Sequence, residues 1–190
     1  MAHDTQTLNK NRMPLHPEHP VWVFGYGSLI HKVDFPYLQR RPAYIEDWQR
    51  RFWQGSHDHR GTPEAPGRVL TLIPAQGQQC VGMAYQVKPE VFEHLDHREK
   101  NGYLRIETAL HFVDGNQPES ERGLVYIAGP DNAAYLGPAS DLEIAQQIAC
   151  SEGPSGPNDE YVLKLAEALR QLDTEDDHVF SIESLLVKPK

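Results

Sequence analysis

The chain has 190 residues, 39% of them hydrophobic, which is enough for one sizeable core and short for two. Twenty-seven acidic residues against 18 basic ones leave a net charge of −9, a balance that disfavours a phosphate-backbone footprint and so argues against nucleic acid as a partner. No apolar run approaches the roughly 20 residues that cross a bilayer, and the first residues lack an apolar signal core, so a cytoplasmic protein without a membrane partner is expected.

Residues 1–19 are polar, contain Pro14 and Pro17 and show no periodicity, which reads as a mobile lead-in to a single domain over 20–190. "VWVFGYGSLI" then runs from Val21 to Ile30. Its apolar, β-branched and aromatic start predicts a strand covered on both faces and ending near Phe24. The glycines on either side of Tyr26 predict a turn. Such a Gly-x-Gly-Ser turn is either ordinary chain reversal or a cradle of N–H groups for a small anion.

Beyond an aromatic and basic stretch from Trp48 to Trp53, the Gly, Pro, His and Asp content of "GSHDHRGTPEAPGR", Gly55 to Arg68, predicts a long loop. Val69–Ile73 and Val81–Val87 predict strands, the second with Val81, Met83, Tyr85 and Val87 on one face. Pro89 opens a helix whose stripe is Val91, Phe92 and Leu95, followed by the charged run "DHREKNGY". Ile106, Thr108, Leu110 and Phe112 alternate as in a strand, and Leu124–Ile127 is a further short one. Ser140 and Glu143 form a capping box ahead of a helix that ends before Gly153. A last helix begins with Asn158 as N-cap and has Tyr161, Leu165, Leu169 and Leu172 on one face. Strands first and helices later point to an α+β fold.

Cys80 and Cys150 form no Cys-x-x-Cys pair, so both are read as reduced, without disulfide or zinc. His57, His59, His94 and His97 have no ligand spacing, and no metal is expected. Glu99 is the carboxylate that the charged run singles out: it directly follows an apolar helix, next to the flexible Asn101-Gly102 step. Read from charge alone, Arg98, Glu99 and Lys100 form a solvated ion-pair cluster at a helix end.

"FGYGSLI" followed by "VDFPY", then "RRFWQGSHDHRGTPEAPGRV", "LDHREKNGY", "YLGPAS" and "GPSGPNDEY" stand in one order and at similar spacing. In these the chain resembles the short form of the ChaC-type γ-glutamylcyclotransferases that degrade glutathione, over about residues 21–187. The resemblance implies a compact fold with a small mixed β-barrel flanked by helices, no cofactor, and glutathione as the small-molecule substrate, converted to 5-oxoproline and cysteinylglycine. It implies that Gly25, Tyr26, Gly27, Ser28, Leu29 and Ile30 hold the γ-glutamyl group, that Glu99 is catalytic and that Tyr161 lines the pocket. His31 stands where similar relatives have tryptophan. Asn101 stands where they have the first glycine of a Gly-Gly step, and its tolerance of left-handed φ would preserve the turn.

Glu99 would work best with its pKa raised by partial burial. Two alternatives stay open on these residues. One is a cyclotransferase on other γ-glutamyl peptides or amines; the other is a non-catalytic regulatory module that binds γ-glutamyl compounds or regulates a partner.

Overall fold

In a computed structural model, residues 4–187 of the protein are described. α1 (Gln6–Arg12) lies within the stretch read as a mobile lead-in. Polar groups hold it: Asn9 is its buried residue, and Thr5 just before it donates to Tyr103 O at 2.7 Å. A helix fastened in this way leaves no apolar periodicity to read.

β1 (Val21–Gly25) is buried along nearly its whole length, as its residues predict. The glycine turn does not stay irregular but winds at once into a four-residue helix, α2 (Ser28–His31). β2 (Gln39–Ser56) and β3 (Gly67–Val87) form a long antiparallel ribbon. The strands expected at Val69–Ile73 and Val81–Val87 are two halves of β3. Between them the ladder slips beside Asp47, whose φ is 65° and whose carboxylate accepts the Gly77 N–H at 2.8 Å. The long loop is shorter than expected, residues 57–66, because Gly55 pairs with Arg68 and Ser56 with Gly67.

α3 (Val91–Arg98) follows Pro89 and buries the expected stripe of Val91, Phe92 and Leu95. β4 (Leu104–Phe112) and β5 (Glu119–Ile127) pair antiparallel. Five strands close a barrel in the order β1, β3, β2, β4, β5, and β5 returns parallel to β1, which makes it mixed. Phe24, Ile45, Phe52, Leu70, Tyr85 and Leu110 are buried in it.

α4 (Asp141–Ala149) carries the predicted capping box of Ser140 and Glu143. The two-residue strands β6 (Glu152–Gly153) and β7 (Gly156–Pro157) lead into α5 (Asn158–Gln171). Pro157, not Asn158, is the N-cap of α5. The Asn158 side chain is spent on β3, accepting the Arg68 N–H at 2.8 Å and donating to Arg68 O at 2.9 Å. α6 (Asp177–Leu186), unanticipated in the sequence, is capped by Asp176, which accepts the Val179 N–H at 3.0 Å. Ile144, Ile148, Leu165, Leu169 and Ile182 join α4, α5 and α6 to the barrel core. No helix among the described residues is long and apolar enough to cross a membrane.

Candidate active site

The end of β1 with α2, the C-terminal end of α3, the 57–66 loop and the start of α5 converge on a cavity of about 270 Å³. A second cavity of about 30 Å³ adjoins it, against Phe24, Tyr26, Gly27, Ser28, Leu29 and Leu70. Glu99, Tyr103, Ser28 and Tyr161 line both. The structure therefore brings Glu99, Tyr161 and the Tyr26–Leu29 part of the glycine turn together. Gly25 and Ile30 line neither cavity: Gly25 belongs to β1 and Ile30 is packed in the core.

Glycine at position 27 has a spatial cause. A Cβ there would stand 3.0 Å from the Tyr161 hydroxyl, so the missing side chain lets that hydroxyl approach the turn. Tyr26 points inward and donates to Tyr126 O at 2.6 Å. Burial pushes Tyr161 up to about 12 and raises Tyr26 and Tyr103 as well. All three phenols keep their protons at neutral pH and remain donors.

Glu99 caps α3 and gives its N–H to Leu95 O at 2.9 Å. Its side chain is 15% exposed, so the solvated cluster suggested by the charges is not what forms. Burial pushes the Glu99 carboxyl above its ordinary range, and the Arg98 and His59 charges offset part of that rise. Arg98 Nε lies 3.5 Å from Glu99 Oε1, while its other nitrogens donate to Ser28 Oγ at 3.0 Å, Lys32 O at 2.8 Å and Asp34 Oδ1 at 2.6 Å. One guanidinium thus ties the glycine turn to the glutamate. Nothing in the sequence distinguished Arg98 from a surface cation except its place beside Glu99.

The 57–66 loop supplies the outer wall. His59 hydrogen-bonds Ser155 Oγ at 3.2 Å and Arg98 O at 3.3 Å, and Arg60 donates to Pro157 O at 2.9 Å, which braces α3 to the start of α5. His31 also lines the cavity, its ring edge-on to Tyr161 with 6.3 Å between centroids. Burial and the nearby Lys164, Arg60 and Arg98 bring its pKa down to about 4, so it is neutral at pH 7.

The expected left-handed residue at the Asn101-Gly102 step is not Asn101: the positive φ, 89°, falls on Gly102. Asn101 earns its place otherwise, donating to Gly55 O at 3.2 Å while its carbonyl accepts from Gln54 Nε2 at 3.0 Å. Among the described residues no group of three or more His, Cys, Asp and Glu is placed to hold a metal ion.

A closed barrel carrying a largely desolvated carboxylate, protonated phenols and a glycine turn around two adjoining cavities makes a site for a small polar molecule. Comparison with known proteins agrees: the chain belongs to the ChaC-like protein family, whose model matches residues 21–189. It is 46% identical over 175 residues to glutathione-specific γ-glutamylcyclotransferase 1 of Danio rerio, covering 88% of this chain and 89% of that one. To γ-glutamylcyclotransferase 2-3 of Arabidopsis thaliana it is 47% identical over 169 residues, 84% of each. The crystal structure of a yeast γ-glutamylcyclotransferase specific to glutathione superposes with a TM-score of 0.81 at 33% identity, covering 88% of this chain and 95% of that one.

Proposed function

We propose that the chain is a γ-glutamylcyclotransferase that converts glutathione to 5-oxoproline and cysteinylglycine, with Glu99 as both base and acid. The observation that carries this reading is the single, largely desolvated carboxylate on the wall shared by the two cavities, beside the Gly27–Ser28 turn. The relatives named above support the substrate.

The substrate contains its own nucleophile and electrophile, so no protein nucleophile is needed. Its α-ammonium must first lose a proton; the freed amine then attacks the γ-carbonyl carbon, and the bond from that carbon to the cysteine nitrogen breaks. Of the three protons on the ammonium, the new lactam keeps one, and the other two end on the departing nitrogen. A carboxylate between the two nitrogens can carry them across and finish as it began. Its raised pKa brings it closer to the ammonium it must deprotonate.

The main-chain N–H groups of the Gly25–Ile30 segment, Gly27 and Ser28 foremost, meet either the substrate α-carboxylate or the oxyanion formed on the γ-carbonyl oxygen. Tyr161, close against Gly27, holds the same end of the substrate. The outer cavity takes the cysteinylglycine portion. Holding amine and carbonyl in contact contributes more than the proton transfers, because effective molarities far exceed the about 10² to 10⁴ typical of a general acid–base group.

The test is purified protein with reduced glutathione, both products read by mass. Formation of 5-oxoproline together with cysteinylglycine is expected, faster than release of 5-oxoproline from γ-glutamylalanine. Saturable glutathione binding without turnover would overturn the reading.

A further inference from the structure

We propose that α1 is a positioning element for the catalytic turn, with Thr5 and Asn9 holding residues 100–103 so that Glu99 and Tyr103 face the cavity. The inference rests on the function proposed above and concerns a part of the chain that the family match, which starts at residue 21, does not include.

The chain that leaves α3 is no longer helical, so its main-chain carbonyls must find donors elsewhere in the fold. Lys100 O accepts the Gly102 N–H and the Thr5 N–H, both at 2.9 Å. Tyr103 O accepts the Thr5 hydroxyl at 2.7 Å and Asn9 Nδ2 at 3.1 Å. Asp4 bridges to Asn101, and Asn9 Oδ1 accepts the Arg105 N–H at 2.9 Å. Residues 100, 101, 103 and 105 are thus all tied to a segment some 90 residues earlier in the chain. On its other side Tyr103 donates its hydroxyl to Leu70 O, so the residue is held between α1 and β3.

The character of the contact argues for orientation over bulk stability. The buried residue of α1 is the polar Asn9, and Thr5, at 8% exposure, is also buried. A helix kept for its hydrophobic area would present leucines. This one presents hydrogen-bonding groups aimed at a turn that contains a positive-φ glycine and begins one residue after Glu99. Misplacement of a reacting group by about 1 Å can cost roughly 10²-fold in rate, so a brace on this turn acts through Glu99 without touching substrate.

The test compares Thr5→Val, which keeps the shape and loses the hydroxyl, with Thr5→Ser, which keeps the hydroxyl, and adds Asn9→Ala. Each full-length variant is assayed for kcat and KM with glutathione, and folding is checked by circular dichroism. The expected result is a loss of about tenfold in kcat for Thr5→Val and Asn9→Ala, with KM within about twofold of wild type, and recovery to within twofold in Thr5→Ser. Wild-type kcat in Thr5→Val, or equal loss in Thr5→Ser, overturns the inference while leaving the proposed reaction standing. If Asn9→Ala does not fold, the threonine pair decides. A wild-type protein that releases no cysteinylglycine sinks the reaction and this inference with it.

Discussion

Asp96 and Glu99 stand three residues apart at the end of the same helix, both withdrawn from water, and they serve opposite ends. Asp96, 1% exposed, is bonded to the barrel, where its Oδ1 accepts the Tyr126 hydroxyl at 2.6 Å and lies 3.3 Å from Arg105 Nε, and with Arg105 it borders a separate cavity of about 280 Å³ against the chain after α1. Glu99 faces the cavity, with Arg98 Nε 3.5 Å away and space beyond. Both carboxyls are pushed upward by burial, and in Asp96 the Tyr126 hydrogen bond and the Arg105 charge act against the rise. A carboxylate bonded to a barrel strand and paired with a buried arginine holds a fold together. One that shares its cavity with a glycine turn and Tyr161 is placed to accept a substrate proton. The difference lies in the partners of each as well as in depth.

The largest expected effect tests the cavity side. Glu99→Gln keeps volume and removes the proposed proton carrier, so kcat with glutathione should fall about 10² to 10⁴-fold with the circular dichroism spectrum unchanged. Stability should move the other way. The folded pKa of Glu99 lies above its ordinary 4.5, so its ionisation opposes folding; the penalty is absent below the unfolded pKa and grows as pH rises through the folded one. Glu99→Gln should melt higher than wild type at pH 7 and level with it near pH 4.

Asp96→Ala tests the other side. It leaves Arg105, 3% exposed, buried without its carboxylate, and breaking such a pair costs about 3–5 kcal/mol. Denaturant unfolding should register that loss while the folded fraction keeps most of its kcat. A variant that stays stable and loses kcat as Glu99→Gln does would break the comparison.

Arg98→Met ranks below both. It detaches Ser28, Lys32 and Asp34 from the end of α3, and a fall in kcat/KM of about tenfold is expected from the loosened geometry. Because Arg98 lowers the Glu99 pKa, its removal raises it further. The acid limb of the pH profile of kcat/KM should therefore move to higher pH; a shift to lower pH would mean that Arg98 does not act on Glu99.

The sequence exposes what periodicity and caps encode. The strand from Val21, the stripe of Val91, Phe92 and Leu95, and the capping box of Ser140 and Glu143 were all legible because each is local. The barrel and the placement of Glu99 beside the glycine turn came from resemblance, since barrel closure and the cavity walls depend on pairs distant in sequence, such as Trp22 with Gly123 and Gly27 with Tyr161. α1 was illegible for a further reason: it is fixed by hydrogen bonds from Thr5 and Asn9, residue types that in sequence look like any polar surface. Arg105 was hidden in the same way. It stands one residue before the alternating Ile106, Thr108, Leu110 and Phe112, where nothing marks it, yet it is buried against Asp96.

The smallest effect concerns Asn101, which lines the cavity next to Glu99 but spends its atoms on β2. Were its value a left-handed φ, glycine would serve better. The positive φ lies on Gly102 instead, where an added Cβ would meet Asn132 Oδ1 at 2.6 Å. Asn101→Gly therefore removes one hydrogen bond and adds freedom to the unfolded chain, a loss of about 1–2 kcal/mol in denaturant unfolding. Its kcat should stay within about twofold of wild type, since the Thr5 and Asn9 bonds to residues 100 and 103 remain. A kcat loss as large as that of Arg98→Met would place Asn101 with Glu99 on the chemical side of the turn, and would show that a residue satisfied by the fold can still be indispensable to the reaction.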